Sequence, residues 1–103
     1  MGWNISHGGT RYGFSYSGVA MLRDHIKDAA TRSERRLLDT VLAKRSSDPF
    51  SIPPRDARRM GDVLLAVADR LPVAGGDDWQ GMARQIGESA IRAADANEPW
   101  RWS

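Results

Sequence analysis

No cysteine occurs among the 103 residues. A disulfide framework and any thiolate metal or redox site are therefore excluded. A reducing compartment permits such a composition, and the expected location is cytoplasmic. No segment joins a charged start to a continuous apolar run, as a signal peptide does. No apolar stretch approaches the ~20 residues that a membrane span needs. The longest, Val63 to Ala68, fits an amphipathic helix. Lysine is nearly absent too: Lys27 and Lys44 are the only lysines among fifteen basic residues. With many Ala, Gly and Asp residues, the arginine excess reads as a high-GC coding bias and not as selection for phosphate binding.

The length fits one small globular domain over residues 1–103, with one modest core and little room for a deep active-site cavity. The net charge is only +2, but it is unevenly spread. Residues 1–47 hold eight basic and four acidic groups, and residues 48–103 hold seven and nine. A mild dipole of this kind steers a partner without amounting to a basic arm.

Trp3-Asn4-Ile5-Ser6 alternates apolar with polar, as a half-buried strand does. The three glycines in His7 to Gly13 point to a turn or exposed loop. A first helix, capped by Ser15 or Ser17, is expected to run to about Ala30 with Val19, Leu22, Ile26 and Ala29 on one face. Thr31 and Glu34 form a capping-box pair that opens a second helix to about Arg45. The tight joint between the two suggests an antiparallel hairpin. Phe50-Ser51-Ile52 alternates again, and Pro54 suits the first turn of a third helix stopped by Pro72. Asp77 or Asp78 caps a fourth helix, with Asn97 as its left-handed terminator. Trp100-Arg101-Trp102 alternates like a strand. A lone terminal strand lacks a ladder partner, so the two ends are expected to pair, with Phe50–Ile52 as a candidate third strand. The fold class expected is α+β: mostly helical, four helices in two antiparallel pairs, and a small sheet formed by the N- and C-terminal strands.

Candidate chemistry is sparse. Ser6-His7 beside Gly8-Gly9 resembles an oxyanion turn, but the Gly-x-Ser-x-Gly elbow and the length of an α/β-hydrolase are missing. Adjacent strand residues also point to opposite faces. His7 and His25, with scattered carboxylates, give no metal-ligand spacing. Gly8-Gly9-Thr10-Arg11 lacks the spacing of a P-loop. No nucleophile, base and orienter can be assembled, so no catalytic residue, metal or cofactor is expected.

Two binding readings remain, of which the residues favour the first and leave the second as the alternative. The first is a protein-directed module. Its surface is the glycine loop around His7, Arg11 and Tyr12, joined by the tail at Trp100 and Arg101, since exposed Trp, Tyr and Arg anchor interfaces. One of Trp100 and Trp102 is expected to face inward and the other outward. The second is nucleic-acid binding by the basic second helix through Arg32, Arg36, Lys44 and Arg45. Four other arginines fall into helical pairs: Arg58 with Asp62, Arg35 with Asp39, and Arg84 and Arg92 with Glu88. No helix-turn-helix, RNA-recognition or zinc-finger signature accompanies them. The alanine-rich fourth helix could also pack on a copy of itself, making a homo-oligomer.

Gly2-Trp3-Asn4-Ile5-Ser6-His7-Gly8 at the start and Pro99-Trp100-Arg101-Trp102-Ser103 at the close carry a resemblance. With Ile52-Pro53-Pro54 before an Ala-rich helix, the chain resembles a family of small uncharacterised proteins of high-GC bacteria and their phages. The resemblance spans most of the chain and implies one domain with both ends structured. It brings no activity and no catalytic residue. A phage- or defence-related inhibitor of a host complex is compatible with it, but no residue selects that role.

Overall fold

A computed structural model describes residues 2–7, 10–42, 49–71 and 78–102, with backbone alone for residues 2–4, 6–7, 10–12 and 15–17. In chain order the elements are β1 (Gly2–His7), β2 (Thr10–Ser15), α1 (Tyr16–Ala29), α2 (Arg32–Leu42), β3 (Phe50–Ile52), α3 (Pro54–Ala68), α4 (Trp79–Asp95) and β4 (Trp100–Trp102). The fold is α+β and mostly helical, as the sequence pattern predicts.

Local signals set the helix ends. Thr31 N–H donates to Glu34 Oε1 at 2.8 Å, and Glu34 N–H donates to Thr31 Oγ1 at 3.2 Å, which completes the capping box ahead of α2. Pro54 occupies the first turn of α3, where its missing N–H costs nothing. Asp78 caps α4, its Oδ1 accepting from Gly81 N–H at 2.8 Å, while Asp77 lies outside the described residues. At the far end Asn97 takes φ 54°. Its N–H reaches Ala94 O at 3.0 Å, and Glu98 N–H reaches Ala93 O at 2.8 Å. That double closure is a Schellman motif, which satisfies two carbonyls the helix would otherwise leave open.

The four strands form one antiparallel sheet in the order β2-β1-β4-β3. The two ends pair as expected, with Ile5 opposite Trp102 and Ser6 opposite Arg101. Phe50–Ile52 joins on the far side of β4. One expectation fails here. Residues 10–13 were expected in a turn or loop, yet they belong to β2 and pair fully with β1, Gly13 lying opposite Asn4. Glycine weakens a strand but does not forbid one, and β2 is an edge strand, where that weakness is tolerated best.

The second correction concerns the tail. Trp100 and Trp102 are both 0% exposed. Residues two apart in a strand share a face, so neither tryptophan can turn outward while the other faces the core. Arg101 between them is the exposed one. The indoles meet edge to face at 5.2 Å, and Phe50 stacks on Trp102 at 5.5 Å. Such pairs contribute about 0.5–1.5 kcal/mol beyond their area. Trp100 Nε1–H donates to the fully buried Ser89 Oγ of α4 at 3.0 Å, so the ring's one polar atom is satisfied inside the core.

Helices α1 and α4 pack on the sheet, and α2 and α3 pack on those helices and on each other. The closest packing joins α3 to α4. Arg58 pairs with Asp95 at one end, and Arg84 with Asp69 at 2.8 Å at the other, so the two run antiparallel. Between those ends Gly61 lies against Gly87: a Cβ on Gly61 would sit 2.8 Å from the Gly87 carbonyl oxygen.

Candidate anion-binding surface

The capping box fixes where α2 begins, and that start decides which side chains point away from the core. Leu38, Val41 and Leu42 are buried. Arg32, Ser33, Arg36 and Thr40 are exposed, while Arg35, Leu37 and Asp39 are half-buried. Two adjoining pockets lie along this outer face. One, of about 250 Å³, is lined by Lys27 of α1 and by Arg32, Arg35, Arg36 and Asp39. The other, of about 420 Å³, is lined by Arg32, Ser33, Arg36, Leu37 and Thr40, and by Arg59 of α3. Arg32 and Arg36 belong to both.

Five cations therefore surround this surface against one acid, Asp39. Asp39 is already engaged, accepting from Arg23 Nε of α1 at 3.1 Å. Among the described residues none of the five cations makes an ion pair. Glu34, the other acid of α2, is held elsewhere. It accepts from the Thr31 amide and from Arg70 Nη1, just beyond α3, each at 2.8 Å. Those two contacts, the amide first, hold its carboxyl below the usual carboxylate range. Arg32 repels Arg35 and Arg36 at helical spacings of three and four, each pair costing about 0.2–0.5 kcal/mol. Arg35 Nε is buried and has no hydrogen-bond partner. A buried donor left in that state costs about 1–3 kcal/mol.

The sequence-predicted ion pairs are largely corrected. Only Arg92 with Glu88 forms, at 3.3 Å. Arg58 reaches Asp95 and not Asp62, and Arg84 reaches Asp69 and not Glu88. Asp39 takes Arg23 in place of Arg35. A partner on a facing helix won over one a turn away on the same helix, and Arg35 was thereby left without a carboxylate.

The residues expected to bind nucleic acid divide. Arg32 and Arg36 are brought together on the pocket face, with Lys27, Arg35 and Arg59 as neighbours that sequence reasoning did not include. Arg59 enters only through the packing of α2 on α3, which no local pattern announces. Lys44 and Arg45 lie outside the described residues. The residues expected to bind protein are reordered by the sheet. Arg11 lies opposite Ser6, and Ser6 opposite Arg101, so the two arginines share one row across three strands. Tyr12 falls in the neighbouring row, opposite Ile5, and His7 pairs with Thr10 at the end of the β1–β2 ladder. Trp100 cannot serve as a surface anchor, because it is enclosed in the core. Among the described residues no group of three or more His, Asp or Glu side chains is placed to hold a metal ion, and no helix is long and apolar enough to cross a membrane.

Fold and surface together define a small, mostly helical α+β protein with a cationic helix face. The chain belongs to the family whose model is described as a domain of unknown function, DUF7739, which matches residues 8–103. No curated protein and no solved structure matches it.

Proposed function

We propose that the protein is a non-enzymatic binding module whose partner is a nucleic-acid backbone, held on the arginine face of α2. One observation carries this reading: five cations that make no ion pair among the described residues line two adjoining pockets whose single acid is engaged by Arg23. A polyanion is the partner such a surface fits, because each phosphate contact releases condensed counterions. Sparing Arg32, Arg35 and Arg36 from carboxylates costs α2 stability, and bound phosphate offsets that cost. The protein-directed reading keeps Arg101 on the exposed sheet face but loses its aromatic anchor in Trp100.

Fluorescence anisotropy with a labelled 20-mer, over a series of salt concentrations, tests the proposal. The expected log–log slope is about −4.5 if all five cations engage duplex phosphates, at roughly −0.9 for each contact. The Arg32→Ala/Arg36→Ala variant is expected to lower the slope by about two and to weaken binding, with the melting temperature unchanged or raised. Salt-insensitive binding, or equal binding by the variant, would remove nucleic acid from consideration.

A further inference from the structure

The two pockets differ in size and lining in a way that a uniform polyanion surface does not require. The narrower, near 250 Å³, lies below the usual range for a drug-sized ligand and is walled by Lys27, Arg32, Arg35 and Arg36, with Asp39, paired to Arg23, as its one acid. Its half-buried Arg35 has an Nε–H that is covered and lacks an acceptor. A guanidinium stays charged at every accessible pH and presents its donors as a rigid fork. A phosphate group seated there meets the guanidinium groups of Arg32, Arg35 and Arg36 and the Lys27 ammonium, donors that match its oxygens. The wider pocket, near 420 Å³, is of a different character. The half-buried Leu37 gives it an apolar wall, Ser33 and Thr40 add hydroxyls, and Arg32, Arg36 and Arg59 surround it with guanidinium groups. Guanidinium planes stack on unpaired bases, and hydroxyls meet base edges or sugars. Arg32 and Arg36 border both pockets, so one guanidinium pair faces both a phosphate in the narrower pocket and a nucleoside in the wider one.

We infer that the two pockets together form a seat for one unpaired nucleotide, the phosphate held at Arg35 and the base and sugar held against Leu37 and Arg59. This inference rests on the nucleic-acid reading above and narrows it. A base inside a duplex is stacked and paired, so it cannot enter the wider pocket without leaving the helix. Single strands are therefore the favoured partner.

The test compares three probes at one salt concentration: a single-stranded 5′-phosphorylated decanucleotide, a blunt duplex with the same number of phosphates, and adenosine monophosphate. The proteins are the unaltered chain, Arg35→Gln, Arg35→Lys and Arg59→Ala, each first shown by thermal melting to be folded. The single strand is expected to bind about tenfold or more tightly than the duplex, the equivalent of one stacked base. Arg35→Gln is expected to lose about tenfold for the single strand. Arg35→Lys, which keeps the charge without the fork, is expected to recover only part of that loss. Arg59→Ala is expected to weaken the single strand more than the duplex. If adenosine monophosphate binds as tightly as the decanucleotide, the nucleotide seat stands, and its source is a free nucleotide and not a polymer. If duplex and single strand bind equally and Arg35→Gln weakens both alike, the seat is overturned and the broader electrostatic reading survives. If no probe binds, or a polyglutamate peptide binds as well as the decanucleotide, both are overturned.

Discussion

Glu34 shows how much one side chain on α2 is asked to do. Its carboxylate closes the capping box with Thr31 and accepts from Arg70, which also reaches the Ala29 carbonyl at 3.4 Å. One acid thus ties the end of α1, the start of α2 and the residues just beyond α3. Its folded pKa is depressed, so its contribution is complete above the ordinary carboxylate value near 4.5 and is lost as pH falls through the lower folded value. Glu34→Gln is therefore expected to be less stable than the unaltered protein at neutral pH, with the two converging as pH drops below about 4.5. Chemical denaturation at a series of pH values measures this; a gap that stays constant to pH 2 would show that the ionised carboxylate is not what matters. Arg35 carries the opposite lesson. The spacing to Asp39 assigned it a partner one turn away, and local spacing cannot register that Arg23 of a neighbouring helix takes that partner first.

At the scale of elements, the signals that lie within a few residues of each other were legible. Thr31 with Glu34, Pro54, Asp78 and Asn97 each mark a helix boundary found in the structure. Features requiring distant chain were not. Strand β2 was hidden by Gly13, because glycine reads as a turn signal until the pairing of β2 with β1 is known. The Gly61–Gly87 approach between α3 and α4 was equally silent, since a glycine within a helical pattern shows no reason for its presence until the facing helix is known. That approach sets the sign of a mutation. In an exposed helix Gly→Ala stabilises by up to about 1 kcal/mol. At Gly61 the new methyl would meet Gly87 backbone oxygen and the Ile91 side chain, both at 2.8 Å, and overpacking of that kind costs about 1–3 kcal/mol. Gly61→Ala is expected to lower the melting temperature, and more than Gly87→Ala, whose nearest contact is 3.1 Å. Calorimetry of both variants decides it; a rise at position 61 would mean that the helices separate at no cost.

Across the whole molecule, the sheet is held together by β4, which lies between β1 and β3. Three residues supply two ladders and two fully buried indoles. Burial of one such ring accounts for about 3–5 kcal/mol when it is truncated to alanine, a large share of the 5–15 kcal/mol that a domain ordinarily has. Removal of residues 100–103 is therefore expected to abolish the cooperative thermal transition followed by circular dichroism, and a transition within a few degrees of the original would show β4 to be dispensable. The position of β4 also bears on how the chain reaches this state. Ile5 and Trp102 are neighbours in the ladder yet almost the full chain apart in sequence. The β1–β2 ladder and the helix pairs join segments close together, whereas β1–β4 must close the largest loop available and bear its entropy before any contact rewards it. That closure is expected to slow folding, and the two tryptophans that it buries are natural optical reporters of it.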